Sequence, residues 1–460
     1  MRSSDSKMAL GVFARANGHH EGAWRLPEAL TGPELDFHGF WLKLAKMAED
    51  AVFDLFFLAD VDGLRGSEAD IRALSHDPAR YISQFEPMTL LSALAVTTKH
   101  IGLAGTASTT YNEPYHVARK FASIDHLSQG RAAWNIVTSS VQATAANFGK
   151  DKHLAHDARY RQAEEFVQVV KGLWDSYEDD AFLRDKAAGL FFDTSKLHYL
   201  NHKGELLSVK GPLNIGRPVQ GHPVLIQAGA SEPGKALAAA VADVIFGSSG
   251  SLAGAQAFYA DVKVRAEKNG RKPDDVIVMP GLFTVIGRTT EEAKAKNAQL
   301  LSLVHPEVGF SLLEELLGVS LRDHDVDGPL PDELPPSNQQ KALRERLLET
   351  AKREKLTIRQ LYTRQIGSHG VYSMIGSATD IADEMEQWFR ERGADGFNIM
   401  ASDYPGGFTD FCRLVVPELR KRGLVRTEYR GATLREHMGL PRPAHRPPAG
   451  SSTASALSAA

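Results

Sequence analysis

The sequence predicts a (β/α)8 barrel, on two observations. Short apolar, often β-branched runs recur along the chain with helix-period sequence between them, the signature of βα units and a parallel sheet. Eight such runs are present, the number of parallel strands that closes a barrel, whereas a doubly wound open sheet uses fewer.

In order, the runs are Met8–Ala14, Asp54–Asp60, Ile101–Ala107, Ala132–Thr138, Pro223–Gly229, Asp243–Ser248, Val276–Gly287 and Asp395–Ala401. Between the first two, Phe37, Trp41, Leu44, Ala45 and Ala48 recur at helical spacing and line one face. After the fourth, a helix opens at His156 and Asp157, with Asp157 as N-cap and Phe166, Val167, Val170 and Leu173 as its apolar stripe. Two stretches break the alternation, about 177–221 and about 304–370. The second holds DHDVDGPLPDELPPSNQQ, whose Pro, Asp and Gly density reads as loop, and both are expected as insertions near a barrel mouth, shaping substrate access. From Pro441 the chain reads PRPAHRPPAGSSTASALSAA, which has too little apolar surface to order itself. The expected organisation is one barrel unit over residues 1–440 and a disordered tail over 441–460.

Composition narrows the function classes. With 43% hydrophobic and 24% charged residues and a formal net charge of -4, the chain resembles an ordinary globular protein with no bias toward nucleic acid. Its single cysteine, Cys412, excludes an intrachain disulfide framework and clustered-thiolate metal sites and fits a reducing compartment, so a cytoplasmic location is expected. Neither a signal-peptide core nor an apolar run of membrane-spanning length is visible, so no membrane association is expected.

Active residues of a barrel gather at the C-terminal ends of its strands. There the sequence places ARANGHHEGAWR after the first run, Asp60 after the second, Thr106 and Ser108 at the third, Asn135 and Thr138 at the fourth, AGASEPG after the fifth and GSSG after the sixth. The stretch QAGASEPGKALAAAVAD reads as a strand, small residues, then a helix whose first turn carries Ser231 and Gly234. Free N–H groups and a hydroxyl there suit a phosphate, although an ordinary Ser N-cap gives the same pattern. His156 and Tyr160 stand four residues apart, where imidazole and phenol can converge on one ligand. No HExxH, no compact His/Asp/Glu cluster and no GxSxG elbow is present, so neither a catalytic metal nor a hydrolase triad is expected. Nor is any strand followed by GxGxxG with a later acidic residue. If the protein uses reducing power, a diffusible carrier must bring it.

The stretches GHHEGAWR, FFLAD, FEPMTLLSALAVTTKHIGLAGTASTTYNEPYHVARKFASIDHLSQGRAAWNIVTSS, NFG, HDARYRQAEEF and HPVLIQAGASEPG closely resemble the two-component, flavin-dependent monooxygenases of the bacterial luciferase superfamily. The similarity runs in order over about residues 8–441. It points to the branch of nitrilotriacetate, dibenzothiophene-sulfone and long-chain alkane monooxygenases. The resemblance implies a luciferase-like barrel that takes reduced FMN from a separate NAD(P)H-dependent flavin reductase. With O2 as co-substrate it would oxygenate a small organic molecule, often with C–S or C–N cleavage of the sulfone or aminopolycarboxylate type. Relatives also suggest a homodimer or homotetramer.

Carried onto this sequence, the family's flavin contacts fall on Asp60, Thr106, His156, Tyr160 and Ser231. Asp60 and Thr106 are expected near the isoalloxazine or ribityl hydroxyls, Tyr160 and Ser231 toward the phosphate, and His156 between. Asn135 and Thr138 are expected beneath the flavin, with Ser139 and Ser140 as loop solvation, and His19 and His20 as substrate-side candidates. Where some relatives carry a first-loop cysteine and a late histidine, this chain offers Ala14 and His369. Two other readings keep the barrel: a deazaflavin-dependent oxidoreductase, and a non-catalytic flavin-binding protein.

Overall fold

The computed structural model of the chain describes residues 6–32, 35–64, 70–78, 84–139, 141–229, 231–247, 249–331, 334–335, 341–366, 371–447 and 452–453. Ser140 and His369, both singled out in the sequence, lie outside them.

Ten parallel strands curl into one sheet. They are β1 (Ala9–Phe13), β2 (Leu55–Leu58), β3 (Gly102–Ser108), β4 (Ala132–Val137), β5 (Val224–Ala228), β6 (Val244–Phe246), β7 (Ile277–Val278), β8 (Gly281–Gly287), β9 (Tyr372–Ser377) and β10 (Gly396–Ala401). The order is β7-β6-β5-β4-β3-β2-β1-β10-β8-β9. The single run Val276–Gly287 therefore supplies two strands. Its first half pairs with β6 and its second half with β10, and Asp395 N–H to Val278 O (2.8 Å) and Asn398 N–H to Pro280 O (2.9 Å) close the remaining gap. All eight expected runs thus line the barrel. β9, which pairs only with β8, was not expected: VYSMIGS lies half-exposed and carries no continuous apolar signal.

Alternation along each strand divides inside from outside. Ala9, Leu55, Phe57, Ala104, Ala133, Val224, Ile226 and Ile277 pack together in the barrel. Leu10, Phe56, Leu103, Trp134 and Ile136 belong to the outer layer under the helices. There α1 (Leu42–Asp50), α2 (Pro87–Thr97), α3 (Pro114–Leu127), α4 (His156–Trp174) and α5 (Glu232–Val241) follow their strands. The expected stripe of α4 is buried, yet Ala155, not Asp157, is its N-cap. Asp157 sits one residue inside, where an acid favours the helix dipole without capping. Ahead of α1, Phe37–Trp41 forms a π-turn whose Asp36 side chain accepts from Gly39 N–H.

The two insertions lie at opposite ends of the barrel. The first leaves the far end of α4 and leads into β5, so it covers the N-terminal face, not the mouth as the sequence suggested. An αβ connection has no other place to go. Gln220 anchors it by donating Nε2 to Asp125 Oδ1 (2.7 Å) and to Ala132 O (3.0 Å). The second packs on the loops that leave β1 and β2: Arg25 donates to Leu303 O (2.5 Å), His76 stacks on His305 (3.5 Å) and Ser311 donates to Asp70 (3.1 Å). It is mostly helical. α6 (Leu252–Lys268) and α7 (Thr290–Ser302) precede it, and α8 (Pro306–Leu317), α9 (Lys341–Glu354) and α10 (Ile358–Ile366) build its own core around Leu313, Leu317, Leu347, Leu361 and Tyr362. The Pro- and Asp-rich centre concealed those amphipathic flanks.

The tail expected to be disordered is held in place over its described part. Arg442 pairs with Asp179 (2.7 Å), Pro443 O accepts from Arg217 (2.9 Å), and Ser452–Thr453 pair antiparallel with His198–Tyr199. Side-chain charge, not apolar area, orders it. Just before it, the turn Leu434–Met438 plugs the barrel floor, and a Cβ on Gly102 would lie 2.5 Å from Leu434.

Candidate active site

The C-terminal rims of β2, β3, β4 and β5 are neighbours in the sheet, and they carry the expected flavin contacts in two groups. In the first, Thr106 donates its hydroxyl to Leu58 O (2.9 Å) and accepts Asn135 Nδ2–H (2.8 Å). That relay fixes the Asn135 amide. Its Oδ1 is then a buried acceptor with no hydrogen-bond partner among the described residues, a state costly unless a ligand supplies the donor. Asn398 Oδ1, in β10, is in the same state, and it reaches toward β1 because a Cβ on Gly11 would lie 2.8 Å from it. Asp60 joins Thr106 in the wall of a cavity of about 160 Å³. Burial raises its carboxyl to about 6, against Gln84, which donates Nε2 to Oδ1 at 3.1 Å.

In the second group, His156 and Tyr160 stand with ring centroids 4.9 Å apart at the start of α4. Ser231 is the N-cap of α5, accepting Gly234 N–H at 3.2 Å, as the ordinary N-cap reading expects, and the hydroxyl's own proton is not used in that bond. A Cβ on Gly234 would lie 3.0 Å from the Tyr160 hydroxyl and 3.1 Å from Ser231 Oγ. Phenol, hydroxyl and helix N-terminus therefore pack closely around Gly234, a set of donors of the kind an anion takes.

Between the groups, Thr138 and Ser139 end β4. Thr138 contributes its carbonyl, which accepts from Thr110 (2.8 Å) and from Arg159 (3.2 Å). Ser139 is not loop solvation: it sits at φ 41°, pairs its hydroxyl with Ser108 (2.6 Å), and its carbonyl accepts from Arg159 and from His153 Nε2 (2.6 Å). Strain of this kind persists where surrounding contacts enforce it. The sequence reading missed His153, Arg159, Gln84 and Tyr111, whose hydroxyl meets His153 Nδ1 at 2.5 Å. The first two lie in HLAHDARY, adjacent to the stretch that was read.

His19 and His20 reach the mouth through a turn in which Asn17 and Gly18 both take positive φ, 64° and 100°. Both are buried. His19 N–H donates to Ala401 O and Ser402 O, both at 3.1 Å, and its Nε2 bonds Phe13 O at 2.8 Å, while His20 Nδ1 accepts Gly22 N–H at 3.0 Å. Burial lowers His19 to about 3, with help from Arg15, and His20 to about 4, so both are uncharged imidazoles at neutral pH. They pack the first loop against β10. Ala14 is buried and offers no chemistry. Beside this loop, Asn17, Trp24, Trp41, Gln84 and Phe85 line a cavity of about 600 Å³. Gln84 thus touches Asp60 on one side and this cavity on the other.

Comparison with known proteins agrees with this geometry. The luciferase-like monooxygenase family matches residues 23–396. N-acetyl-S-(2-succino)cysteine monooxygenase of Bacillus subtilis (strain 168) is 48% identical over 97% of this chain and 99% of its own. Nitrilotriacetate monooxygenase component A of Aminobacter aminovorans is 47% identical over 96% and 98%. The crystal structure of a riboflavin lyase with modified FMN and substrate riboflavin superposes with a TM-score of 0.80 at 30% identity, covering 96% of this chain and 98% of that one. The family match over residues 23–396 and this similarity along nearly the whole chain make it a member of the luciferase-like monooxygenase family.

Proposed function

We propose that the chain binds reduced FMN along the β2–β5 rim and uses it with O2 to oxygenate a small carboxylate in which carbon is bonded to sulfur or nitrogen. The observation that carries the cofactor assignment is the buried Asn135 Oδ1, without a partner among the described residues, on the strand next to the one that leads into Ser231 and Gly234: one orphaned acceptor and one set of anion donors on neighbouring strand ends. Asp60, Thr106 and Asn135 would hold the ring and ribityl hydroxyls, and Tyr160, Ser231 and the start of α5 the phosphate. Bound reduced FMN supplies the electrons that activate dioxygen. The chain's own part is to position, to exclude water and to manage charge. Phe13, Phe57 and Phe246, with centroids 5.0 to 5.9 Å apart, give the mouth a dry floor, and Asp60 can gain or lose a proton near pH 6.

The substrate class is supported by the two relatives near half identity, whose names are those of such carboxylates, and by the cations Arg15 and Arg159 at the mouth. The cavity walled by Trp24, Trp41 and Phe85 is where the substrate would dock. Because the chain carries no nucleotide-binding fingerprint, and one relative is named component A, a separate reductase would supply the reduced flavin.

The test supplies reduced FMN from a generic flavin reductase under air and screens N-acetyl-S-(2-succino)cysteine, nitrilotriacetate, sulfones and alkanes for substrate loss coupled to oxygen uptake. Turnover of the first two is expected. Failure to bind reduced FMN, or a strong preference for a deazaflavin, would overturn the cofactor assignment, and turnover confined to sulfones or alkanes would overturn the substrate class.

A further inference from the structure

On the N-terminal face, away from the mouth, three potential ligands from distant parts of the sequence converge. Glu178 and His198 belong to the first insertion and His445 to the tail. His198 is buried and its Nε2 lies 3.0 Å from Glu178 Oε1. The His198 and His445 rings are 5.3 Å apart, and one ligand atom from each of the three lies within 4.8 Å of the other two. His445 is already oriented, since its Nε2 bonds Asp175 O at 2.9 Å. A ring nitrogen tied to a backbone carbonyl, leaving the other free to ligate, is the usual outer-shell arrangement of a metal-bound histidine.

We propose that Glu178, His198 and His445 bind a divalent cation of the Zn2+ class, and that this ion fastens the tail to the first insertion. Two imidazoles and one carboxylate are a donor set that Zn2+ takes in tetrahedral geometry with water at the fourth position. Donors about 2.0–2.2 Å from such an ion lie roughly 3.3–3.5 Å apart, so the three close on it with side-chain shifts of about 1 Å. Binding replaces the hydrogen bond between His198 Nε2 and Glu178 Oε1 with bonds to the ion. Nearby cations do not oppose it strongly, because Arg217 is engaged with Asp175 (2.8 Å) and Asp179 (3.1 Å) and Arg442 with Asp179 (2.7 Å). The N-terminal face of a barrel serves stability, not chemistry, so the ion is structural. The sequence concealed it because its ligands stand at positions 178, 198 and 445 with no compact spacing.

The experiment strips the full-length protein with a chelator and titrates it with Zn2+ alone by calorimetry, then with Co2+ for its visible ligand-field absorption. Expected are one ion per chain, a tetrahedral Co2+ spectrum, and slower proteolysis of the tail when Zn2+ is present. His445→Ala and His198→Gln should each weaken binding by about 100-fold or more, at least the upper end for losing an outer-shell partner. His38→Ala, at an exposed position, should leave it unchanged. No stoichiometric binding, an octahedral spectrum, or full affinity in His445→Ala would overturn the proposal. Should His198→Gln fail to fold, His445→Ala decides the matter alone, since that residue lies in the tail.

Discussion

The two ends of the barrel both carry buried polar groups and differ in how those groups are held. At the floor, Arg131 donates to Thr98, Ile101 O and Ala95 O, all within 2.9 Å. Arg435 joins Asp243 (2.7 Å) and His222 O (2.8 Å), and Asp175 holds both Arg217 and His222. At the rim, Asn135 Oδ1 and Asn398 Oδ1 are buried without partners, Asp60 is held above the usual carboxylate range, and Ser139 sits at positive φ. The floor turn also keeps one buried atom without a partner among the described residues, His437 Nδ1, so the contrast rests on the rim's combination of orphaned amide oxygens, a raised carboxyl and a positive-φ serine, a combination expected where a ligand completes the site.

The strongest way to break this contrast is at the floor. Arg435→Ala should cost about 3–5 kcal/mol in denaturant unfolding, because it strands buried Asp243, while folded protein keeps its FMN affinity. A loss below 1 kcal/mol would mean that the floor network is not structural. At the rim, Tyr160→Phe and Ser231→Ala should each weaken FMN binding by roughly 1.5–3 kcal/mol, the worth of a hydrogen bond to a charged group. Ser231→Ala should also lower stability by about 0.5–2 kcal/mol through the lost cap. Unchanged affinity in both would remove the phosphate from the start of α5.

Asn135→Leu sharpens the comparison because the two measurements should part. Stability should change by only about 1 kcal/mol, since loss of the bond to Thr106 is offset by removal of the orphaned Oδ1, while FMN affinity falls. Protonation gives a smaller effect. The folded protein holds the Asp60 proton more tightly than the unfolded chain, so stability falls as pH rises from about 4 to about 6. FMN affinity, if Asp60 accepts from the flavin, should rise over the same step. Asp60→Asn should flatten both profiles. The smallest effect is expected at His19, which is lowered to about 3: the pH profile of turnover between 5 and 9 should carry no step that His19→Gln removes.

How much of this was legible depends on the kind of signal. Strands buried on both faces announce themselves as apolar runs, which is why all eight were visible, whereas half-exposed β9 was not. Asp60, Thr106, Tyr160 and Ser231 could be read because each follows a strand or opens a helix. His19 and His20 looked chemical, yet burial keeps both imidazoles neutral, and no spacing rule reveals a contact between residues 19 and 402. The face each insertion covers follows from topology alone, and a stricter reading of αβ against βα connections would have assigned the first correctly.

The barrel's closing seam joins β1 to β10, with Ala9 opposite Gly396, and the floor is stoppered by Leu434, Met438 and Leu440. During biosynthesis the edge of β1 therefore waits for nearly the entire polypeptide. At about 5–20 residues per second that wait is of order 20 to 80 s, long enough for strand-to-strand misassociation between nascent chains. Yield in a heterologous host should consequently respond to chaperone supply and growth temperature more than to substitutions at the mouth.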